Sequence, residues 1–461
     1  MSVATQAIAS TGHDTRAIWR RAAVIFCATI FSVAVLLIHT VISPLVFDFS
    51  GNLSVDRSLQ EDFALVVVAV LPTLWLPVQM RRPSLVGLWL LYLQVYVSTI
   101  VVAPHVYDAA LSDFVPFFGC LLLSMVGLAV PYSFNVRAVQ RPGVSLDWLM
   151  TLLISAAGIW VLYTALRVGI VLGFTAQENL YDERFLLRDR LANSGEFFWT
   201  YLTKWTSDIV VTVLLALGLI NRRPVPIAIG IFLAILISAT AAARGPLVAM
   251  AFVLGTPLWT VHSKAAGYQF SAVRTFLFLL LGIGVSLGWD LIIGDWNLSF
   301  GAEGNFELTH LIFMRIFVIP GMLSGYHFEF FSQNPPALFG ESILGWIFDI
   351  QPYYSEAVSI LIGHTFVYAR DTPVVANANT WADWYANLGL VGLVLSSFVV
   401  GVLFYLVDKL ATGRDFRVAA IAMAPIGIDL ANTGVQTAFI SGGFWLLLVV
   451  LWLLPPVEAD N

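Results

Sequence analysis

The sequence has little charge. Only 11% of its 461 residues are Asp, Glu, Lys or Arg, whereas 59% are hydrophobic. An ordinary soluble domain has about 25% charged residues, and polar groups this scarce could not cover so much apolar surface. The shortage excludes a soluble enzyme, a disordered chain and a nucleic-acid-binding protein. It leaves a polytopic helical membrane protein.

Cysteine and lysine are scarce as well. The two cysteines, Cys27 and Cys120, both lie in apolar runs, which excludes a disulfide scaffold and a cysteine-based metal site. The net charge of -6 excludes a globally basic surface that would bind polyanions. Neither the spacing of histidines and acids nor any nucleotide motif indicates a metal or a cofactor, so we expect neither.

Long apolar runs dominate what is present. A span needs about 20 mostly apolar residues, and the sequence predicts an all-α protein with about twelve transmembrane helices. The runs lie near 23–46, 63–80, 84–103, 110–132, 148–173, 199–220, 224–242, 245–262, 273–294, 385–407, 416–434 and 437–454. The predicted organisation is an N-terminal segment (1–22), nine spans (23–294), a large outer loop with interfacial helices (295–384), three spans (385–454) and a tail (455–461).

Basic residues orient the spans. If the N-terminus is cytoplasmic, each inner loop contains at least two Arg or Lys residues, which fits the positive-inside rule and also places the C-terminus in the cytoplasm. Nine basic residues then remain on or near the outer side, and eight of them are arginines. They are Arg57, Arg167, Arg184, Arg188, Arg190, Lys204, Arg244, Arg315 and Arg370.

Arginines on the outer side suit an anionic ligand, because the guanidinium fork matches phosphate oxygens. Arg244 lies in a two-residue turn between two spans, among small residues. Arg315 lies in an aromatic segment that begins near His310 and is interrupted at Pro320, which favours an interfacial or re-entrant helix. The alternative for Arg184 and its neighbours is local pairing with nearby acids.

The end of the predicted outer loop is rich in amides and aromatic rings. Asn379, Asp383, Tyr385 and Asn387 share one side of a helix that leads into a span. Amides can bind sugar hydroxyls and rings can stack on sugars, whereas the rings alone would be ordinary interfacial residues. Polar residues inside the spans are scattered, without obvious basic partners at their depth, and the sequence gives them a secondary role. They are His39, Asp208, Asp290, Asp429 and Asn432.

The layout and three short motifs resemble the Wzy-type O-antigen and capsular polysaccharide polymerases. The motifs are Ala243-Arg244-Gly245 at a hairpin turn, Arg315 in an aromatic segment, and Asn379 followed by 383–389 at the entrance to a span. The resemblance implies a metal-independent membrane glycosyltransferase of the bacterial plasma membrane. Its substrate would be an undecaprenyl-diphosphate-linked oligosaccharide, and a flippase or chain-length regulator would be a partner.

The same resemblance implies roles for single residues. Arg244 and Arg315 would stabilise the leaving diphosphate, and Asp383 is the favoured general base, narrowly ahead of Glu329 and His310. The remaining candidates for substrate binding are Arg167, Arg184, Arg188, His310, Glu329, Asn379, Tyr385 and Asn387.

Other functions stay open. An O-antigen ligase would use a histidine of the large loop, for which His310, His327 and His364 are candidates. A C-superfamily glycosyltransferase would use an acid after the first span, where Asp48 lies. A lipid-linked glycan transporter or flippase would need charges along a path through the bundle, and an assembly partner would need no catalytic residue.

Overall fold

The chain forms a mostly helical bundle. A computed structural model describes residues 3–42, 55–139, 144–170, 186–187, 191, 197–241, 245–263, 267–293, 310–366 and 375–456. Within these ranges seven helices are long and apolar enough to cross a membrane. They are Thr15–Val41, Leu85–Val106, Leu111–Ser133, Leu146–Val168, Phe198–Ile220, Thr380–Ala411 and Val435–Leu453. The chain is therefore a multi-pass membrane protein.

Each of these seven helices overlaps a predicted span. At the other five predicted positions the described helices are not among these seven, so the number twelve remains a prediction. Those five helices are Leu59–Val70, Pro224–Thr240, Gly245–Leu254, Ala272–Ile293 and Phe416–Asn432. The remaining α-helices of four or more residues outside these spans are Thr256–Trp259, Ile319–Gln333, Ile343–Phe348 and Val358–Phe366.

Within the described ranges, five helices contain a wide π-helical turn. These turns are Ile38–Ile42, Tyr92–Val97, Thr164–Val168, Thr206–Val211 and His310–Val318. Such turns insert an extra residue into a helix and occur often at functional sites. Three of them contain a charged residue that the sequence singles out, namely Arg167, Asp208 and Arg315.

A small antiparallel sheet closes one end of the bundle, which we call the sheet end. Its strands are β1 (Gln79–Met80), β2 (Thr260–Ser263) and β3 (Gly267–Ser271), in the order β1-β3-β2. The sequence predicts only helices and connectors here. Strands of two to five residues lie inside predicted span ends and loops, where they are too short to produce a periodic pattern.

A buried carboxylate fastens three helices at the sheet end. Asp408 accepts hydrogen bonds from the Ser84 backbone N–H at 3.1 Å and from the Ser84 hydroxyl at 2.8 Å. Ser84 Oγ also lies 2.7 Å from the Tyr132 hydroxyl, and Arg82 Nη1 lies 3.8 Å from Asp408. The carboxylate thus caps the N-terminus of the helix that begins at Leu85, where a negative charge is stabilising.

The segment 380–411 is a re-entrant hairpin rather than one helix. Gly389 has φ 61° and ψ -150°, which breaks the helix. Trp381 Nε1 donates to Ser397 Oγ at 2.6 Å, although sixteen residues of straight helix would separate these positions by about 24 Å. Residues 380–388, which we call the half-helix, therefore lie antiparallel to the long helix that follows. We call the end of the bundle at Gly389 the hairpin end.

The helix from His310 to Gln333 packs inside the bundle. Ser98 Oγ lies 3.3 Å from the Val318 carbonyl, and the Tyr107 ring contacts the Phe328 ring, so this helix runs parallel to Leu85–Val106. A Gly-x-x-x-Gly motif permits the close approach: a β-carbon on Gly321 would lie 2.3 Å from the Ser98 carbonyl oxygen. The sequence predicts an outer loop with an interfacial helix here, and the structure instead buries much of this segment.

The chain is interrupted twice between Phe416 and Leu453, the region of the last two predicted spans. Phe416–Asn432 has 17 residues, a length of about 25 Å. Thr433 and Gly434 follow, then the short helix Val435–Ile440 and a second break before Phe444–Leu453. Backbone that leaves a helix within a membrane must find other partners, which protein-lined sites can supply.

Gly389→Ala should open the hairpin. No atom lies within 4 Å of a β-carbon built at Gly389, so the cost comes from backbone strain alone and should be about 1–3 kcal/mol of unfolding free energy. Equilibrium unfolding in detergent measures it. Gly119→Ala is the matched control, because it also faces open space but lies in an ordinary helix. Equal effects of the two substitutions would contradict the hairpin.

Candidate functional site

The half-helix begins inside the bundle, and Asn379 caps it. The Asn379 side-chain oxygen accepts hydrogen bonds from the backbone N–H groups of Trp381 and Ala382 at 3.1 and 3.0 Å. Its amide nitrogen donates to Ser324 Oγ at 2.7 Å and to the Pro320 carbonyl at 3.2 Å. Only 1% of Asn379 is exposed, so all of its polar atoms are used to hold this helix start.

Ser324 extends this contact to a third helix. Thr99 Oγ1 donates to Ser324 Oγ at 3.0 Å, and Ser324 donates to the Pro320 carbonyl at 2.8 Å. The network joins the half-helix, the helix Ile319–Gln333 and the span Leu85–Val106. Because every member is buried and bonded, the network fixes the depth at which the half-helix starts.

Asp383 lies on the half-helix and faces the first break of the last segment. Gln436 Nε2 donates to Asp383 Oδ2 at 2.7 Å, and Trp384 Nε1 donates to Gln436 Oε1 at 3.1 Å. A β-carbon on Gly434 would lie 2.3 Å from Asp383 Oδ2, so only glycine lets the carboxyl group approach here. Asp383 is half-buried, which leaves it reachable from one side.

Asn387 and Tyr385 support the hairpin rather than face open space. Asn387 donates to the Asp383 carbonyl at 2.7 Å and accepts from the Phe339 backbone N–H at 2.5 Å. The Tyr385 ring packs against Phe117 and Phe328, with centroids 5.3 and 5.7 Å apart. Both side chains are buried, so the structure gives these two predicted sugar-binding residues packing and capping contacts.

Lys204, Asp208 and Asp429 form a second polar group on the other side of the short helix Val435–Ile440 from Asp383. We call this group the ion cluster. Lys204 Nζ lies 2.7 Å from Asp208 Oδ2 and 2.6 Å from Asp429 Oδ1. The Lys204 side chain is 43% exposed, whereas those of Asp208 and Asp429 are 6% and 8% exposed. The cluster is therefore reached through Lys204, with the two acids behind it.

The ion cluster corrects the view that the intramembrane acids lack basic partners. Lys204 and Asp208 are four residues apart in one helix, so their pairing is visible in the sequence as helical spacing. Asp429 is 225 residues further along the chain, and only the fold brings it to Lys204. Gln436, Ser324 and Thr99 carried no sequence signal beyond being polar residues in apolar helices.

The remaining predicted residues are spread more widely. Arg315 is exposed in the π-helical turn His310–Val318, five residues before Pro320. Glu329 is half-buried in the same continuous helix, whose first residue is His310; the side chain of His310 is outside the described part. Arg167 is exposed at the end of a different helix, Leu146–Val168.

Three predicted arginines, Arg184, Arg188 and Arg244, lie outside the described residues. The helix that follows Arg244, Gly245–Leu254, contacts both the turn Thr206–Val211 and the helix Phe416–Asn432. These are the two elements that carry Asp208 and Asp429.

Arg57, another basic residue of the predicted outer side, has a structural role. Its guanidinium donates to the carbonyl groups of Pro104, Tyr107 and Ala109 at 2.6 to 3.1 Å. These carbonyls lie at and after the C-terminus of the helix Ser98–Val106, where a cation stabilises unbonded oxygens. With 7% of its side chain exposed, Arg57 is not positioned to meet a ligand.

Comparison with known proteins gives no relative: the chain matches no family model, no curated protein and no solved structure.

Asn379→Ala should loosen the half-helix. It removes the cap and leaves buried N–H groups unbonded, which should lower the unfolding free energy by about 2–3 kcal/mol. Chemical denaturation in detergent measures this loss. Asn334→Ala is the control, because Asn334 is exposed and its side chain donates to the Phe330 carbonyl four residues earlier. It should change stability by less than about 0.5 kcal/mol; a similar change for Asn379→Ala would contradict the capping role.

Proposed function

We propose that this protein is a membrane glycosyltransferase that polymerises undecaprenyl-diphosphate-linked oligosaccharide units into O-antigen, capsule or exopolysaccharide. It would act at the outer face of a bacterial plasma membrane, with both termini in the cytoplasm. The observation that carries the proposal is the half-helix. It holds Asp383, half-buried, beside an interrupted helix near the hairpin end, which is the predicted outer side.

The reaction needs a group that accepts one proton. The acceptor hydroxyl attacks the anomeric carbon of the growing glycan, a glycosidic bond forms, and the bond from that carbon to the lipid diphosphate breaks. The hydroxyl proton passes to a base, and undecaprenyl diphosphate leaves with its electron pair. Asp383 suits the role of base because one of its oxygens is oriented by Gln436 while the carboxyl group stays reachable.

The leaving diphosphate needs positive charge. The resemblance assigns this charge to Arg315, which is exposed in the turn His310–Val318. Arg244, Arg184, Arg188 and Arg167 are further candidates through the resemblance to Wzy-type polymerases. Glu329 and His310 are alternative bases on the helix of Arg315.

A transporter of lipid-linked glycans is the second candidate. Its support is the pair of interruptions near the ion cluster, since broken helices beside buried charges are typical of substrate sites in secondary transporters. The polymerase is preferred because Asp383 is half-buried with one oxygen oriented by Gln436, whereas both acids of the ion cluster are already paired with Lys204.

Asp383→Asn should abolish polymerisation. Purified protein in nanodiscs would receive lipid-diphosphate oligosaccharides, and the products would be resolved on a gel. Wild type should give a ladder of repeat multiples. Asp383→Asn keeps an acceptor for Gln436 but loses the base, so its rate should fall about 10²–10⁴-fold. Arg315→Gln should reduce the rate about 10²–10³-fold.

Two control variants test whether the effects depend on the positions of Asp383 and Arg315. Asp113→Asn changes an exposed acid of the predicted outer side, and Arg81→Gln changes an exposed arginine at the sheet end. Both should retain the wild-type ladder at equal folded amounts. One transfer onto lipid A-core would indicate a ligase instead. Movement of the glycan lipid across liposomes without any product would replace the enzyme with a transporter.

A further inference from the structure

One oxygen of the ion cluster has no partner. Asp429 Oδ1 binds Lys204, but Asp429 Oδ2 is buried and has no hydrogen-bond partner among the described residues. A buried carboxylate oxygen without a donor is costly, because it loses water and gains nothing in return.

A backbone carbonyl, which is an acceptor and not a donor, lies near this oxygen. Asp429 Oδ2 and the Ala438 carbonyl oxygen both point toward Gly442: they lie 2.5 and 2.6 Å from the position of a β-carbon on that glycine. Ala438 is in the last turn of the short helix Val435–Ile440, whose final carbonyls lack helical partners and carry partial negative charge. An ionised carboxylate next to these carbonyls is repelled.

The net charge of the ion cluster also disfavours an ionised Asp429. Counting only described residues, it has two carboxyl groups and one ammonium group, which leaves one excess negative charge when all are ionised. The serine hydroxyl of Ser207 donates to Asp208 Oδ1 at 2.8 Å, but it is neutral and does not remove this charge. Burying net charge in a membrane bundle is unfavourable unless a cation balances it.

We propose that the ion cluster is a proton-binding site and that Asp429 Oδ2 carries the proton in the folded protein. The protonated oxygen becomes a donor facing the Ala438 carbonyl, and the cluster becomes neutral. The proton is exchanged with bulk water. The site does not depend on the proposed glycosyltransferase reaction.

One further charged residue, Arg244, adjoins in sequence an element that packs on the cluster. The helix Pro224–Thr240 contributes no charged residue, and Asp383 lies on the other side of Val435–Ile440, bonded to Gln436. Arg244 precedes the helix Gly245–Leu254, which packs on both acidic elements, and it lies outside the described residues. An arginine at the cluster would balance the charge without a proton, so the test includes it.

Two measurements on the full-length protein in detergent test the site. Infrared spectroscopy at neutral pH should show the carbonyl band of a protonated carboxyl group in wild type, and Asp429→Asn should lack it. An unfolded aspartate has a pKa of about 3.9, so above about pH 5 the folded protein would bind one more proton than the unfolded chain. Raising the pH should then increase the unfolding equilibrium constant by up to about tenfold per pH unit.

The variants separate the explanations. Asp429→Asn mimics the protonated acid, so it should fold and lose this pH dependence, whereas Asp113→Asn should behave as wild type. Wild type could lack both the protonated carboxyl band and the pH dependence of unfolding, while Arg244→Gln shows the pH dependence. This result would show that Arg244 balances the charge, and it would overturn the proposal. Stabilisation by sodium ions without a protonated carboxyl band would overturn it in favour of a metal cation.

Discussion

A helix that starts inside a membrane bundle must find partners for its first N–H groups, because lipid offers none. The half-helix meets this constraint with one side chain, Asn379, which binds two of these groups and is itself anchored to Ser324. Gly389 then lets the chain reverse into a spanning helix. The position of Asp383 follows from these two fixed points, as does the contact of Trp381 with Ser397.

The short helix Val435–Ile440 is held from two sides. Gln436 bonds to Asp383 on the half-helix, while the Ile440 carbonyl accepts from Trp205, one residue after Lys204. A change at the ion cluster therefore has a direct structural route to the candidate base, through six residues of helix. The route consists of hydrogen bonds and packing between neighbouring elements.

Much of this arrangement could be predicted from local patterns, and the rest required long-range information. Apolar runs located the seven spanning helices, and the cluster Asn379, Asp383 and Asn387 was visible as amides and an acid at the start of one of them. The direction of the half-helix could not be predicted, because a helical pattern continues through Gly389 and does not indicate a positive φ. The sequence predicts a loop at Arg315 because Pro320 interrupts the apolar pattern. The Gly-x-x-x-Gly motif at Gly321 is informative only with Ser98 opposite it.

The sheet end bears on the order in which the chain can assemble. Gln79 pairs with Ser271, and Ser84 bonds Asp408, so the ends of early helices are fastened by residues made about 190 and 324 positions later. Helices inserted first must wait in the membrane with these polar groups unpaired until the later segments arrive. Completion of the sheet end is thus a late event in synthesis, and a chain cut short before Asp408 would leave the N-terminus of the helix at Leu85 uncapped.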